Sequence, residues 1–185
     1  MRKDFGAKPI LYPMPVLIIG TYDENGVPNA MNAAWGGISD HKEIFISISP
    51  GHKTTANLLH TKAFTVSPAD VKNLVAADFV GVVSGNNDPD KLAKTGWTVT
   101  KSEKVNAPVF NELPLTLECE LISYSTETDH LIGRIVNVCA DESILTDGNI
   151  DLAKFRPICY EPTQHGYYTL GEKVGNAFAD GKQLQ

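Results

Sequence analysis

Two β-rich runs, "VLIIGTYD" (Val16–Asp23) and "PNAMNAAW" (Pro28–Trp35), are separated only by the four residues "ENGV". An Asn-Gly pair supplies the positive-φ geometry of a tight turn, and turns of that hand join antiparallel neighbours. The expectation is a β-hairpin near the start of the chain, and it commits the adjoining strands to antiparallel pairing.

Short strands recur. "EIFISISP" (Glu43–Pro50) and "AFTVS" (Ala63–Ser67) are rich in β-branched residues, which suit a pleated, half-buried surface. From Leu115 two longer strands, "LTLECELISYSTET" and "LIGRIVNVCADE", meet at the turn "DH". Helical spacing interrupts them twice. "TTANLLHTK" (Thr54–Lys62) reads as a helix capped by Thr54, and "ADVKNLVAADFVG" (Ala69–Gly81) places Val71, Leu74, Val75 and Phe79 along one stripe. "NNDPDKLAKTG" reads as a short capped helix ending at Gly96. The expected class is mainly β with inserted helices, an antiparallel barrel in a single domain spanning 1–185, without internal repeats.

Charge narrows the partners. The formal net charge is −6, which disfavours nucleic acid or an anionic membrane surface, because phosphate backbones reward Lys and Arg. No stretch approaches the ~20 apolar residues of a membrane span. Two prolines interrupt the apolar run after the basic N-terminus, so no secretory leader is expected and the chain is expected in the cytoplasm. Cys119, Cys139 and Cys159 form no CxxC pair and read as reduced thiols.

Within "NAMNAAWGG", strand alternation puts Asn29, Met31, Ala33 and Trp35 on one face and Ala30, Asn32 and Ala34 on the other. The second face is nearly bare. Two readings stand: close sheet stacking with a core tryptophan, or a surface against which a flat ligand lies on exposed backbone. Gly36 and Gly37 read as a turn. The next segment, "SISPGHKTTANL" (Ser47–Leu58), gathers hydroxyls, a histidine and Lys53 where a strand runs into a helix start. Free N–H groups and the helix dipole there attract an anion such as phosphate. "NNDPDKLAKTGW" adds Lys91 and Lys94 near a loop with Trp97, each read by itself as part of a solvated helix face, and "ETDHLIGR" puts His130 at a hairpin tip. No GxGxxG, P-loop, GxSxG or metal-ligand spacing occurs. A flat strand beside an anion-binding helix start fits a phosphorylated planar cofactor.

The stretches "NAMNAAWGGISDHKEIFISISPGHKTTANL", "SGNNDPDKLAKTGWT", "APVFNELPLTLECEL", "DHLIGRIVNV" and "YYTLGEKVGNAF" occur in an order that resembles the flavin reductase-like family, the FMN-binding split barrels, and within it the flavoredoxins. The resemblance covers nearly the whole chain. It implies a Greek-key barrel that forms a homodimer, with FMN held non-covalently near the subunit interface. Carried over, Asn29, Met31, Asn32, Ala33 and Trp35 would line the isoalloxazine. Ser47, Ser49, His52, Lys53, Thr54, Thr55 and Asn57 would surround the ribityl phosphate, with Lys91 as a second cation. His130 would approach the flavin and carry the catalytic role, and Tyr160, Tyr167 and Tyr168 would be further cofactor contacts. The implied activity is oxidoreduction, with NADH or NADPH as co-substrate and a small molecule or protein as electron acceptor. The competing reading is an electron-transfer protein with protein partners and no nicotinamide site.

Overall fold

The computed structural model describes all 185 residues. The hairpin at the start is present: β2 (Leu17–Tyr22) pairs antiparallel with β3 (Pro28–Ala33), after the two-residue strand β1 (Met14–Pro15). β4 (Gly36–Asp40), β5 (Glu43–Ser47), β6 (Ala63–Pro68), β9 (Leu115–Ser125) and β10 (His130–Ala140) complete a seven-stranded sheet in the order β3-β2-β6-β9-β10-β5-β4. A small β-ribbon, β7 (Val99–Lys101) with β8 (Pro108–Phe110), precedes β9.

That order closes the sheet. β3 and β4 are its two edges, yet only Ala34 and Trp35 separate them in the chain. Two residues span little more than 7 Å, so the sheet has to curl until its edges meet. The edges are not hydrogen-bonded to each other, which leaves a barrel with one open seam. Gly36 and Gly37 therefore belong to a strand and not to a turn. A Cβ on Gly36 would lie 2.7 Å from the Phe45 carbonyl oxygen, so the close approach of β4 to β5 requires glycine there.

From Val16 through the start of β2, side chains alternate between two cores. Leu17 and Ile19 point into the barrel with Ile46, Phe64 and Leu131, whereas Val16 and Ile18 face Val80, Phe110 and Trp97 outside it. Both faces are covered, which explains an apolar run without alternation. The second core is closed by α2, which spans Leu74–Val82 and so starts five residues later than the apolar stripe suggests. Asp70 holds the preceding turn through its carboxylate, which accepts from the Asn73 backbone and side chain. α2 also covers Ala30, so the strand face that looked bare in sequence is filled by a helix over part of its length.

α1 covers Lys53–Thr61, with His52 at its N-cap and Lys62 in the left-handed conformation at its C-cap. The expected cap, Thr54, lies inside the helix. The segment around Lys91 is a series of turns ending in a short 3-10 helix, Ala93–Thr95. After β10 come the ribbon β11 (Leu145–Thr146) and β12 (Asn149–Ile150), the one-turn α3 (Leu152–Phe155), and the hairpin β13 (Ile158–Glu161) and β14 (Gly166–Thr169), with β13 pairing to β1. No helix is long and apolar enough to cross a membrane.

Candidate cofactor site

α1 begins beside the outer edge of β3. Asn29 donates through Nδ2 to the Thr54 hydroxyl at 2.9 Å, tying the edge strand to the first turn of the helix. A cleft of about 210 Å³ opens there, bounded by Asn29, Met31, Asn32, His52, Lys53, Thr54 and the segment Val80–Gly85, with Lys91 beneath. The backbone N–H groups of Lys53, Thr54, Ser84 and Gly85 donate to nothing else in the chain. Four free donors on two segments thus line one cleft.

Two cations join them. The Lys53 ammonium sits 3.3 Å from the Asp23 carboxylate and remains part-exposed. Lys91 is only 3% exposed, and its ammonium donates to the Val80 carbonyl at 3.1 Å and the Val83 carbonyl at 2.8 Å. These are among the last carbonyls of α2, where a cation complements the helix dipole. Burial lowers the Lys91 pKa to about 8, with the Asp88 carboxylate opposing the shift. The solvated reading of Lys91 is thereby overturned, while Lys94 keeps it, exposed and paired with Asp88.

Two further recesses continue along the seam. One of about 350 Å³ shares Asn32, Gly81 and Val82 with the first and adds Ala34, Asp78, Tyr160 and Tyr167. The Tyr167 hydroxyl donates to Asp78 at 2.7 Å, and burial together with that carboxylate pushes its pKa up to about 12. The next, about 600 Å³, shares Ala34 and is walled by Pro9, Leu11, Met14, Trp35, Ile38 and Phe45. All three run beside the residues Asn29–Trp35. β3 pairs only with β2. Alternate residues of an antiparallel edge strand turn both N–H and C=O outward, so unpaired backbone groups face these recesses.

The residues named from the sequence divide by position. Asn29, Met31, Asn32, His52, Lys53, Thr54 and Lys91 converge on the first cleft, and Tyr160 and Tyr167 on the second recess. Trp35 stands at the third, 55% exposed. Ala33 faces the barrel interior. Thr55 and Asn57 are buried supports, Thr55 donating to the Ser49 carbonyl and Asn57 to the Thr21 hydroxyl. Ser49 holds Asp129 in the neighbouring turn, and Tyr168 lies exposed outside all three recesses. His130 is the first residue of β10, opposite Ser47, and so is not at the hairpin tip. Its ring meets Phe45 edge-on at 4.9 Å, and only through Phe45 does it border the third recess. Ser84 and Gly85 also line the first cleft, and their only mark in the sequence is the turn-forming run "SGNN".

Comparison with known proteins fits this geometry. Residues 10–166 match the family described as flavin reductase like domain. The chain belongs to the flavin reductase-like family. Its curled sheet with one seam is the split barrel of that family. Among solved structures it is similar to the flavoredoxin of Desulfovibrio vulgaris (Miyazaki F), with 37% identity, a TM-score of 0.93, and 98% of this chain and 100% of that chain covered. Flavoredoxin from Methanosarcina acetivorans is 24% identical with a TM-score of 0.89, each chain fully covered. An FMN-binding domain of a flavin reductases-like enzyme from Shewanella baltica OS155 shares the fold at 21% identity, TM-score 0.79, over 88% of both chains.

Proposed function

We propose that this flavin reductase-like protein holds FMN non-covalently along β3 and works as an oxidoreductase through it. The observation that carries the reading is the convergence of four free backbone N–H groups and two lysines on one cleft at the end of an open strand edge. That donor set suits a phosphate, and helix-start N–H groups with an adjacent ammonium are favourable anion partners. The unpaired edge of β3 suits the mixed donors and acceptors of a flavin ring. Lys53, Thr54, Ser84, Gly85 and Lys91 would hold the phosphate. Asn32 and the β3 backbone would address the ring, with Tyr160, Tyr167 and Trp35 limiting water around it. Bound FMN would supply the redox chemistry, taking electrons in pairs and releasing them in pairs or singly.

Support for this reading comes from the family itself and from the Shewanella baltica relative named for FMN. The electron donor is proposed to be NADH or NADPH, and the working form a homodimer with the seam near the interface, where His130 of one copy would approach the flavin of the other. A second reading is consistent with the likeness to flavoredoxins: an electron-transfer protein with protein partners and no nicotinamide site.

Purified protein titrated with FMN should quench the free flavin's fluorescence at one equivalent per chain; absence of any quenching overturns the cofactor assignment. Anaerobic stopped-flow mixing of the loaded protein with NADH and with NADPH should bleach the flavin with at least one of them. No bleaching with either would leave the electron-transfer reading in its place.

A further inference from the structure

The last fifteen residues, Gly171–Gln185, run past the fold without joining it. Every one is exposed, and Val174, Phe178 and Leu184 present 96%, 98% and 94% of their surface to solvent. The segment is not shapeless. It contains a short 3-10 helix, Asp180–Leu184, and the Asp180 carboxylate accepts from the Asn176 backbone at 2.8 Å. Yet no hydrogen bond or ion pair links any of its residues to a residue outside it. Between its first residues and α3 with the β11–β12 ribbon lies a gap of about 1,100 Å³, bordered by Ile150, Leu152, Leu170 and Val174.

Area points to what covers it. A compact monomer of 20.1 kDa exposes about 8,700 Å², whereas this chain exposes 11,398 Å². The excess, about 2,700 Å² per chain or about 5,400 Å² for a pair, lies at the upper end of what obligate homodimers bury. The seam adds exposed apolar side chains of its own, Leu11 at 73%, Trp35 at 55% and Ile38 at 65%. The flavoredoxin structures from two organisms match this chain over 98% and 100% of its length, so the likeness extends through the arm. A segment without contacts of its own has no reason to keep a shared course unless another surface supports it.

We propose that the C-terminal arm, Gly171–Gln185, docks on a second copy of this chain, with Val174 and Phe178 buried in the partner surface. By two-fold symmetry each copy gives an arm and receives one. The arm then acts as a clasp, and its apolar side chains are interface anchors.

The test uses full-length protein with FMN added. Isotope-labelled and unlabelled copies are mixed and allowed to exchange, and filtered nuclear Overhauser spectra are recorded on the Phe178 ring. Cross-peaks between copies are expected. Contacts confined to its own copy, or narrow solvent-like lines for Phe178 in the dimer, would overturn the proposal. Sedimentation of the Val174→Ser/Phe178→Ser variant supplies a second arm. Its dimer dissociation constant should rise at least tenfold while its circular dichroism spectrum stays that of the parent. An unchanged constant, or a parent protein that is monomeric at all concentrations, would count against the clasp. Flavin absorbance of the same samples reports separately on the cofactor reading, since a colourless dimer with exchanged arms would reject that reading and keep this one.

Discussion

Lys91 has three N–H bonds to give, and two are spent on the carbonyls of Val80 and Val83. The third is left for an anion in the cleft, on a side chain already fixed in place. Charge on this group depends on pH. With its pKa lowered to about 8, the ammonium is present below that value and is lost as pH rises through it. A phosphate monoester takes its second negative charge near pH ~6. FMN affinity should therefore be greatest between about pH 6 and 8 and fall on the alkaline side, as fluorescence titration across that range would show. Lys91→Met should weaken FMN binding by about ten- to a hundredfold and flatten the alkaline limb, on the scale of one lost charge-assisted hydrogen bond. His130 makes a sharper test of the dimer geometry, because within one chain it borders the seam only through Phe45. His130→Ala should bind FMN as tightly as the parent and change its reduction rate or midpoint potential; if affinity, rate and potential all stay the same, the residue has no part in the chemistry.

At the scale of elements, the site depends on three segments meeting: β3, the start of α1 and the Val83–Gly85 loop. Gly85 sets their separation, since a Cβ there would lie 2.4 Å from Asn29 Oδ1 and 3.5 Å from Lys53 Cβ. Gly85→Ala should loosen the Asn29–Thr54 link and weaken FMN binding tenfold or more, with a melting temperature only a few degrees lower; calorimetric titration and a thermal melt distinguish the two effects. Much of this arrangement could be read in the sequence. The hairpin declared itself through "ENGV", and the anion site through the cluster around Lys53, because both are local. Other features are not local. Thr54 looked like a helix cap because hydroxyls usually serve that role, but an edge strand 25 residues away claims its oxygen. The first residues of the expected second helix are held as a turn by Asp70. Gly36 and Gly37 looked like a turn because the partner that makes them a strand, β5, comes later in the chain. Lys91 looked solvated because only the folded chain brings the end of α2 over it.

For the whole molecule, a cofactor that binds only the folded state should stabilise it by mass action. At a free FMN concentration a hundredfold above its dissociation constant the gain is about 2.7 kcal/mol, which raises the melting temperature of a chain this size by roughly 5–10 °C. Differential scanning calorimetry with and without FMN would read it, and no shift at that concentration would contradict specific binding. The seam has a second consequence. A barrel closed on all sides offers no free edge, whereas this one keeps β3 open over the length where the ring is placed. An unpaired strand edge recruits other strands as readily as ligands. The cofactor would then double as a shield against self-association: protein stripped of FMN should scatter light sooner on heating than the loaded form, and lysine placed on the outward side of β3 should slow the clouding without restoring colour.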